Sequence, residues 1–136
     1  MFYGELAAVY AADQIRRWKI DCIIPIPLHR KRLEKRGYNQ ADIIAEALGK
    51  RVVLPVEKKS LRRKINTKPQ KDLSPGERQK NIKGAFTAGG DLRGKNILLI
   101  DDIYTTGTTI DEAAGTLKKA GAEKVYFLVI AIGSET

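Results

Sequence analysis

Cysteine is almost missing from this chain: Cys22 stands alone among 136 residues. That excludes an internal disulfide and a cysteine zinc site, and it suits a reducing, cytoplasmic setting. No apolar run approaches the roughly 20 residues that cross a bilayer as a helix, so a soluble protein with no membrane insertion is expected. The opening residues, Met1-Phe2-Tyr3-Gly4-Glu5, lack the basic-then-apolar layout of a secretory signal. Internal repeats and low-complexity tracts are also absent. What remains is a chain of 136 residues, 43% apolar, which predicts one domain over 1–136 with one proper core.

Charge is the compositional excess. The formal net charge is +9, and it is unevenly spread. Residues 29–36 read His-Arg-Lys-Arg-Leu-Glu-Lys-Arg, and residues 58–83 hold ten Lys or Arg against Asp72 and Glu77. Concentration in two loops points to a polyanionic partner, either a nucleic acid or a polyphosphate metabolite.

Hydrophobic periodicity predicts a helix over 4–18, through Leu6, Val9, Tyr10, Ile15 and Trp18. Short β-branched runs predict buried strands at 20–24 and 52–54. Between them Ala41, Ile43, Ile44, Ala47 and Leu48 predict a helix that Gly49 closes, with Asn39 available as its cap. Residues 57–83 are polar and basic, an excursion that inside a compact domain is functional or disordered. Within it Ser74-Pro75-Gly76-Glu77 predicts a short helix to about Asn81. Extended structure resumes at 85–87, glycines 89, 90 and 94 mark turns, and 96–100 is the clearest buried strand. Thr109-Ile110-Asp111-Glu112 has the form of a capping box opening a helix that ends at Gly121, and 125–130 predicts a last strand. Strands alternating with helices, and apolar on both faces, predict an α/β fold with a parallel sheet. Ligands of such sheets bind beyond the carboxyl ends of the strands, where the loops 25–37 and 101–108 fall.

The segment 97–109 carries the chemistry. A buried strand delivers adjacent carboxylates, Asp101 and Asp102, to the sheet edge. Thr105, Thr106, Gly107, Thr108 and Thr109 follow, and a helix begins. A helix N-terminus presents unpaired N–H groups and partial positive charge to a phosphate. Gly107 permits close backbone approach, and threonine hydroxyls add donors. The carboxylates would repel that phosphate, but turned away they can accept hydrogen bonds from vicinal sugar hydroxyls or bind a metal through water. Ribose 5-phosphate satisfies both halves. A turn that only caps its helix needs one such residue, not many. A nucleotide triphosphatase is excluded because Gly89-Gly90-Asp91-Leu92-Arg93-Gly94-Lys95-Asn96, the nearest approach to a phosphate loop, precedes a strand and ends in Asn96.

The run from Ile97 to Thr109 resembles the phosphoribosyl pyrophosphate motif of type I phosphoribosyltransferases. Ile24-Pro25-Ile26-Pro27-Leu28-His29, with Arg32-Leu33, Arg36-Gly37-Tyr38-Asn39-Gln40, Arg78, Asn81 and Ala85-Phe86, is similar to the competence protein ComF subfamily. Members of that subfamily usually begin with a four-cysteine zinc module, which a sequence with Cys22 alone does not supply. The resemblance implies that Asp101 and Asp102 hold the ribose hydroxyls as the catalytic acids, and that Tyr104 and Thr105 to Thr109 line the ribose 5-phosphate site. It puts pyrophosphate in the loop of Leu28, His29, Arg30, Lys31 and Arg32. It makes 57–83 a mobile flap, with Arg62, Arg63 and Lys64 closing over the substrate. It implies transfer of a phosphoribosyl group from phosphoribosyl pyrophosphate, or a related phosphorylated ribose, to an unidentified acceptor. The cofactor would be magnesium held by ligand oxygens and water, with no direct protein ligand.

The competing expectation is a non-catalytic accessory of DNA uptake that binds single-stranded DNA through its basic loops, or a competence-machinery protein. Against it, the stretches 29–36 and 58–72 contain no aromatic residue for base stacking. A homodimer is a further partner left open.

Overall fold

The computed structural model describes residues 12–27, 39–64, 84–101 and 108–129. Helical residues 12–18 (α1) lead to β1 (Cys22–Pro25), α2 (Gln40–Val52), β2 (Leu61–Arg63), β3 (Phe86–Ala88), β4 (Asn96–Asp101), α3 (Thr108–Lys119) and β5 (Lys124–Val129). β1, β4 and β5 form a parallel sheet in that order, and β2 pairs with β3 in a separate antiparallel pair.

Both faces of the parallel sheet are covered, so its central strands are apolar throughout rather than alternating. Ile23, Leu98 and Ile100 face one side with Ile15, Ile20 and the Ile44–Ala45–Leu48 stripe of α2. Cys22, Ile24, Ile97 and Leu99 face the other, with Ile110, Ala113 and Leu117 of α3 and with Leu61 and Phe86 of the antiparallel pair. The α/β expectation holds, and each fully buried aliphatic side chain contributes about 1.5–3 kcal/mol.

The strand expected at 52–54 does not form. α2 runs through Gly49 to Val52 and stops at Val53, whose φ of 57° is left-handed. Gly49 is therefore interior to the helix and does not close it. It has a packing task instead, because a Cβ there would lie 2.6 Å from Val56 Cγ2 and 3.0 Å from the Leu54 carbonyl oxygen. The extended residues come later: Val56 bridges Ile23 in parallel, the Ile23 amide donates to Pro55 O, and the Glu57 amide donates to Ile23 O. This bridge puts residue 56 on the outer side of β1, opposite β4.

The proposed capping box at Thr109 is also corrected. Thr108 and Thr109 both lie in the first turn of α3, so the cap falls upstream, outside the described residues. Glu112 does not reach back to its own helix start, and its Oε2 instead accepts from the Gly84 amide at 2.9 Å. The far end of α3 is as expected. Gly121 has φ 113°, its amide donates to Lys118 O, and the Ala122 amide donates to Leu117 O, which is a Schellman stop. The excursion begins later than expected too: Leu61 is fully buried in the core, so residues 57–63 belong to the folded body.

Candidate functional site

From β1 the chain passes through α2 to residue 56 on one side, while β4 lies on the other and continues through α3 to β5. The order of strands thus reverses between β1 and β4. In open α/β sheets the crevice at such a reversal, beyond the carboxyl ends, is where ligands bind. Here those ends are Pro25-Ile26-Pro27 and Ile100-Asp101, held side by side by the Ile26 amide donating to Ile100 O at 2.9 Å.

Each of the elements that meet there is fixed by a local device. Asp101 is the last residue of β4, half-buried and in register with Val129 of β5. Seven residues further on, α3 opens at Thr108, its first turn anchored by Ile110, which is 4% exposed. The start of α2 is latched by Asn39, the one buried polar residue among the described core. Its Oδ1 accepts from the Ala41 amide at 3.1 Å, while its Nδ2 donates to Ile26 O at 3.1 Å and to Asp42 Oδ1 at 3.2 Å. Desolvation raises the pKa of the Asp42 carboxyl, opposed by the positive charge of Lys58.

The cations expected over the substrate are bound into the antiparallel pair. Arg63 Nε donates to Pro27 O at 2.9 Å, and its guanidinium carbon lies 4.9 Å from the centre of the Phe86 ring. Arg62 and Lys64 are exposed, and the Lys64 amide closes the pair by donating to Ala85 O at 2.8 Å. Of the anticipated ribose 5-phosphate residues, Asp101 and Thr109 are described, together with the backbone of Thr108. Asp102, Tyr104, Thr105, Thr106 and Gly107 lie outside the described residues, as do Leu28, His29, Arg30, Lys31 and Arg32. Among the described residues no group of three or more His, Cys, Asp or Glu is arranged to hold a metal ion.

Sequence reasoning found Asn39 as a cap but missed its bond to Ile26. It likewise missed the Glu112–Gly84 and Arg63–Pro27 contacts. These join residues 13, 28 and 36 positions apart, and no local pattern signals such pairs.

The model of the phosphoribosyl transferase domain matches residues 6–135, nearly the whole chain. The chain belongs to that family. Among curated proteins it is similar to competence protein F of Haemophilus influenzae, with 34% identity over 122 residues, covering 87% of this chain and 53% of that protein. It is also similar to competence protein ComFC of Bacillus subtilis, with 37% identity over 99 residues, covering 73% of this chain and 39% of that one. The chain therefore spans about half or less of the length of these relatives, and it is a ComF-type phosphoribosyltransferase-like protein. In three dimensions it resembles the purine phosphoribosyltransferase of Pyrococcus horikoshii, with a TM-score of 0.60 at 20% identity over 95% of this chain and 73% of that one. That likeness establishes the type I phosphoribosyltransferase fold. No helix among the described residues is long and apolar enough to cross a membrane.

Proposed function

We propose that this phosphoribosyltransferase-like domain binds 5-phosphoribosyl-1-pyrophosphate with magnesium and transfers its phosphoribosyl group to an acceptor, releasing pyrophosphate. One observation carries the reading: β4 ends in Asp101 at the reversal of strand order, and α3 begins seven residues later at the same edge. A carboxylate and a helix N-terminus that close together match a ligand with a diol at one end and a phosphate at the other.

In this reading Asp101 and Asp102 accept hydrogen bonds from the 2′- and 3′-hydroxyls. Backbone N–H groups of 105–109 take the 5-phosphate, and the loop after Pro27 takes pyrophosphate. The reaction breaks the bond between C1 and pyrophosphate and forms one to the nucleophile. The protein contributes positioning and charge stabilisation at an oxocarbenium-like centre. Magnesium suits such a site without a direct protein ligand, since the ion would keep water and the ligand's own phosphate oxygens around it, with the hard carboxylate of Asp101 close by. When bound it offsets the charge of the leaving pyrophosphate.

Calorimetry should detect magnesium-dependent binding of phosphoribosyl pyrophosphate, abolished in the Asp101→Ala, Asp102→Ala double variant. Undiminished affinity in that variant rejects the site. Release of pyrophosphate, screened across bases, amines and nucleic acids, identifies the acceptor.

The names of the relatives support a setting in competence and DNA use, and with it a second reading in which the basic residues bind single-stranded DNA. Lys58, Lys59, Arg62 and Lys64 are exposed, as that reading needs. Such binding falls steeply with salt; affinity that ignores salt rejects it.

A further inference from the structure

We infer that Arg63 is a positioning residue for the pyrophosphate end of the site, acting through the Pro27 carbonyl rather than by touching the ligand; this rests on the function proposed above. The antiparallel pair is braced at two points. On one side Arg63 Nε donates to Pro27 O at 2.9 Å, and on the other the Gly84 amide donates to Glu112 Oε2 at 2.9 Å. Pro27 is where the chain leaves the β1 edge, and Glu112 lies on the helix that follows β4. The brace therefore spans the two edges that flank the reversal of strand order.

Three features make Arg63 suited to this. Its Nε–H takes a carbonyl that the sheet ladder leaves available beyond the Ile26–Ile100 bond. The ring of Phe86, 4% exposed, lies against the guanidinium and restricts its rotamers. Leu61, two residues earlier and fully buried, fixes the strand that carries it. Arg63 thereby holds the Pro27 carbonyl, and with it the carboxyl end of β1, in place.

Glutamine separates positioning from direct charge contact, because its Nε2 occupies the same place along the side chain as the arginine Nε. Arg63→Gln keeps the donor and loses the charge, whereas Arg63→Ala loses both. Native-state hydrogen exchange at the Ile26 amide is expected to quicken about fivefold in Arg63→Ala and to stay near wild type in Arg63→Gln. Calorimetry with magnesium and inorganic pyrophosphate is expected to show about fivefold weaker binding in Arg63→Ala and under about twofold loss in Arg63→Gln. Affinity for ribose 5-phosphate should hold in both, and a preserved thermal midpoint confirms that both are folded. Unchanged Ile26 exchange in Arg63→Ala overturns the brace. Equal loss of pyrophosphate affinity in the two variants, with exchange unchanged in Arg63→Gln, overturns positioning in favour of direct ionic contact. A wild-type protein that binds no pyrophosphate would reject the proposed function, and the exchange measurement would still decide the brace.

Discussion

Replacing Gly49 by alanine should destabilise the protein, against the usual rule for helices. In an unobstructed helix interior, alanine is better than glycine by about 0.8–1 kcal/mol. At this position the added Cβ would stand 2.6 Å from Val56 Cγ2 and 3.0 Å from the Leu54 carbonyl oxygen, with Ile23 Cδ1 behind at 3.9 Å. The carbonyl is not free to retreat, since the Leu54 amide is itself bonded to Gly49 O at 3.0 Å. Valine is stiff about χ1, so Val56 yields only by moving its backbone away from Ile23. Overpacking of this kind costs about 1–3 kcal/mol. Subtracting the helix gain leaves a net loss of about 1 kcal/mol, seen as a lower urea midpoint at unchanged slope. Trp18, the only tryptophan, stacks on Tyr126 at 4.2 Å and provides the fluorescence signal. In the Gly49→Ala, Val56→Ala double variant the clash with the valine methyl disappears, so the two losses should fall short of additivity by about 0.5 kcal/mol or more. A midpoint that rises in Gly49→Ala refutes the argument, and with it the claim that this close approach holds residue 56 against β1.

Leu61→Ala should cost about 2–5 kcal/mol in denaturant unfolding, because Leu61 is fully buried; a loss below 1 kcal/mol would return residues 57–63 to the loop that their composition suggested. The Lys58 ammonium paired with Glu46 lowers the Glu46 pKa from its ordinary 4.5. The pair's small contribution is therefore present above that value and lost as pH falls through the lowered one, so Glu46→Gln should differ from wild type near neutral pH and converge with it in acid. Both side chains are about half exposed, so added salt should shrink the difference as well. Burial pushes the Cys22 thiol up to about 11, helped by the carboxylates of Glu57 and Asp21 and opposed by Lys95. Thiol reagents at pH 8 should label it only when the protein unfolds, and rapid labelling of the native state would contradict its place in the core.

The strands β1 and β4 were legible because a strand buried on both faces writes an unbroken apolar run, as Cys22-Ile23-Ile24 and Ile97-Leu98-Leu99-Ile100 do. The stripe of α2 was legible through its period, and Asp101 through its position after the last apolar residue of β4. β2 was not, since one leucine in a basic run has no period to reveal it. Val52-Val53-Leu54 misled because β-branched composition outweighed the good helix formers Lys50 and Arg51 just before it. Thr109 and Glu112 misled in a different way: their spacing suits a capping box, but a glutamate side chain is long enough to choose a partner from another element. Gly49 has the composition of a stop and the surroundings of a contact, and only the neighbours brought in by folding tell those apart.

The hydrogen bond from the Lys64 amide to Ala85 O has an evolutionary corollary. The chain departs and returns at adjacent points, so what lies between them is topologically a cassette plugged into a closed socket. Doubling such an insert adds only about 0.6 kcal/mol of closure entropy. Lineages can therefore lengthen, trim or rewrite residues 65–83 while the sheet, its two helical layers and the aspartate at its rim are inherited unchanged.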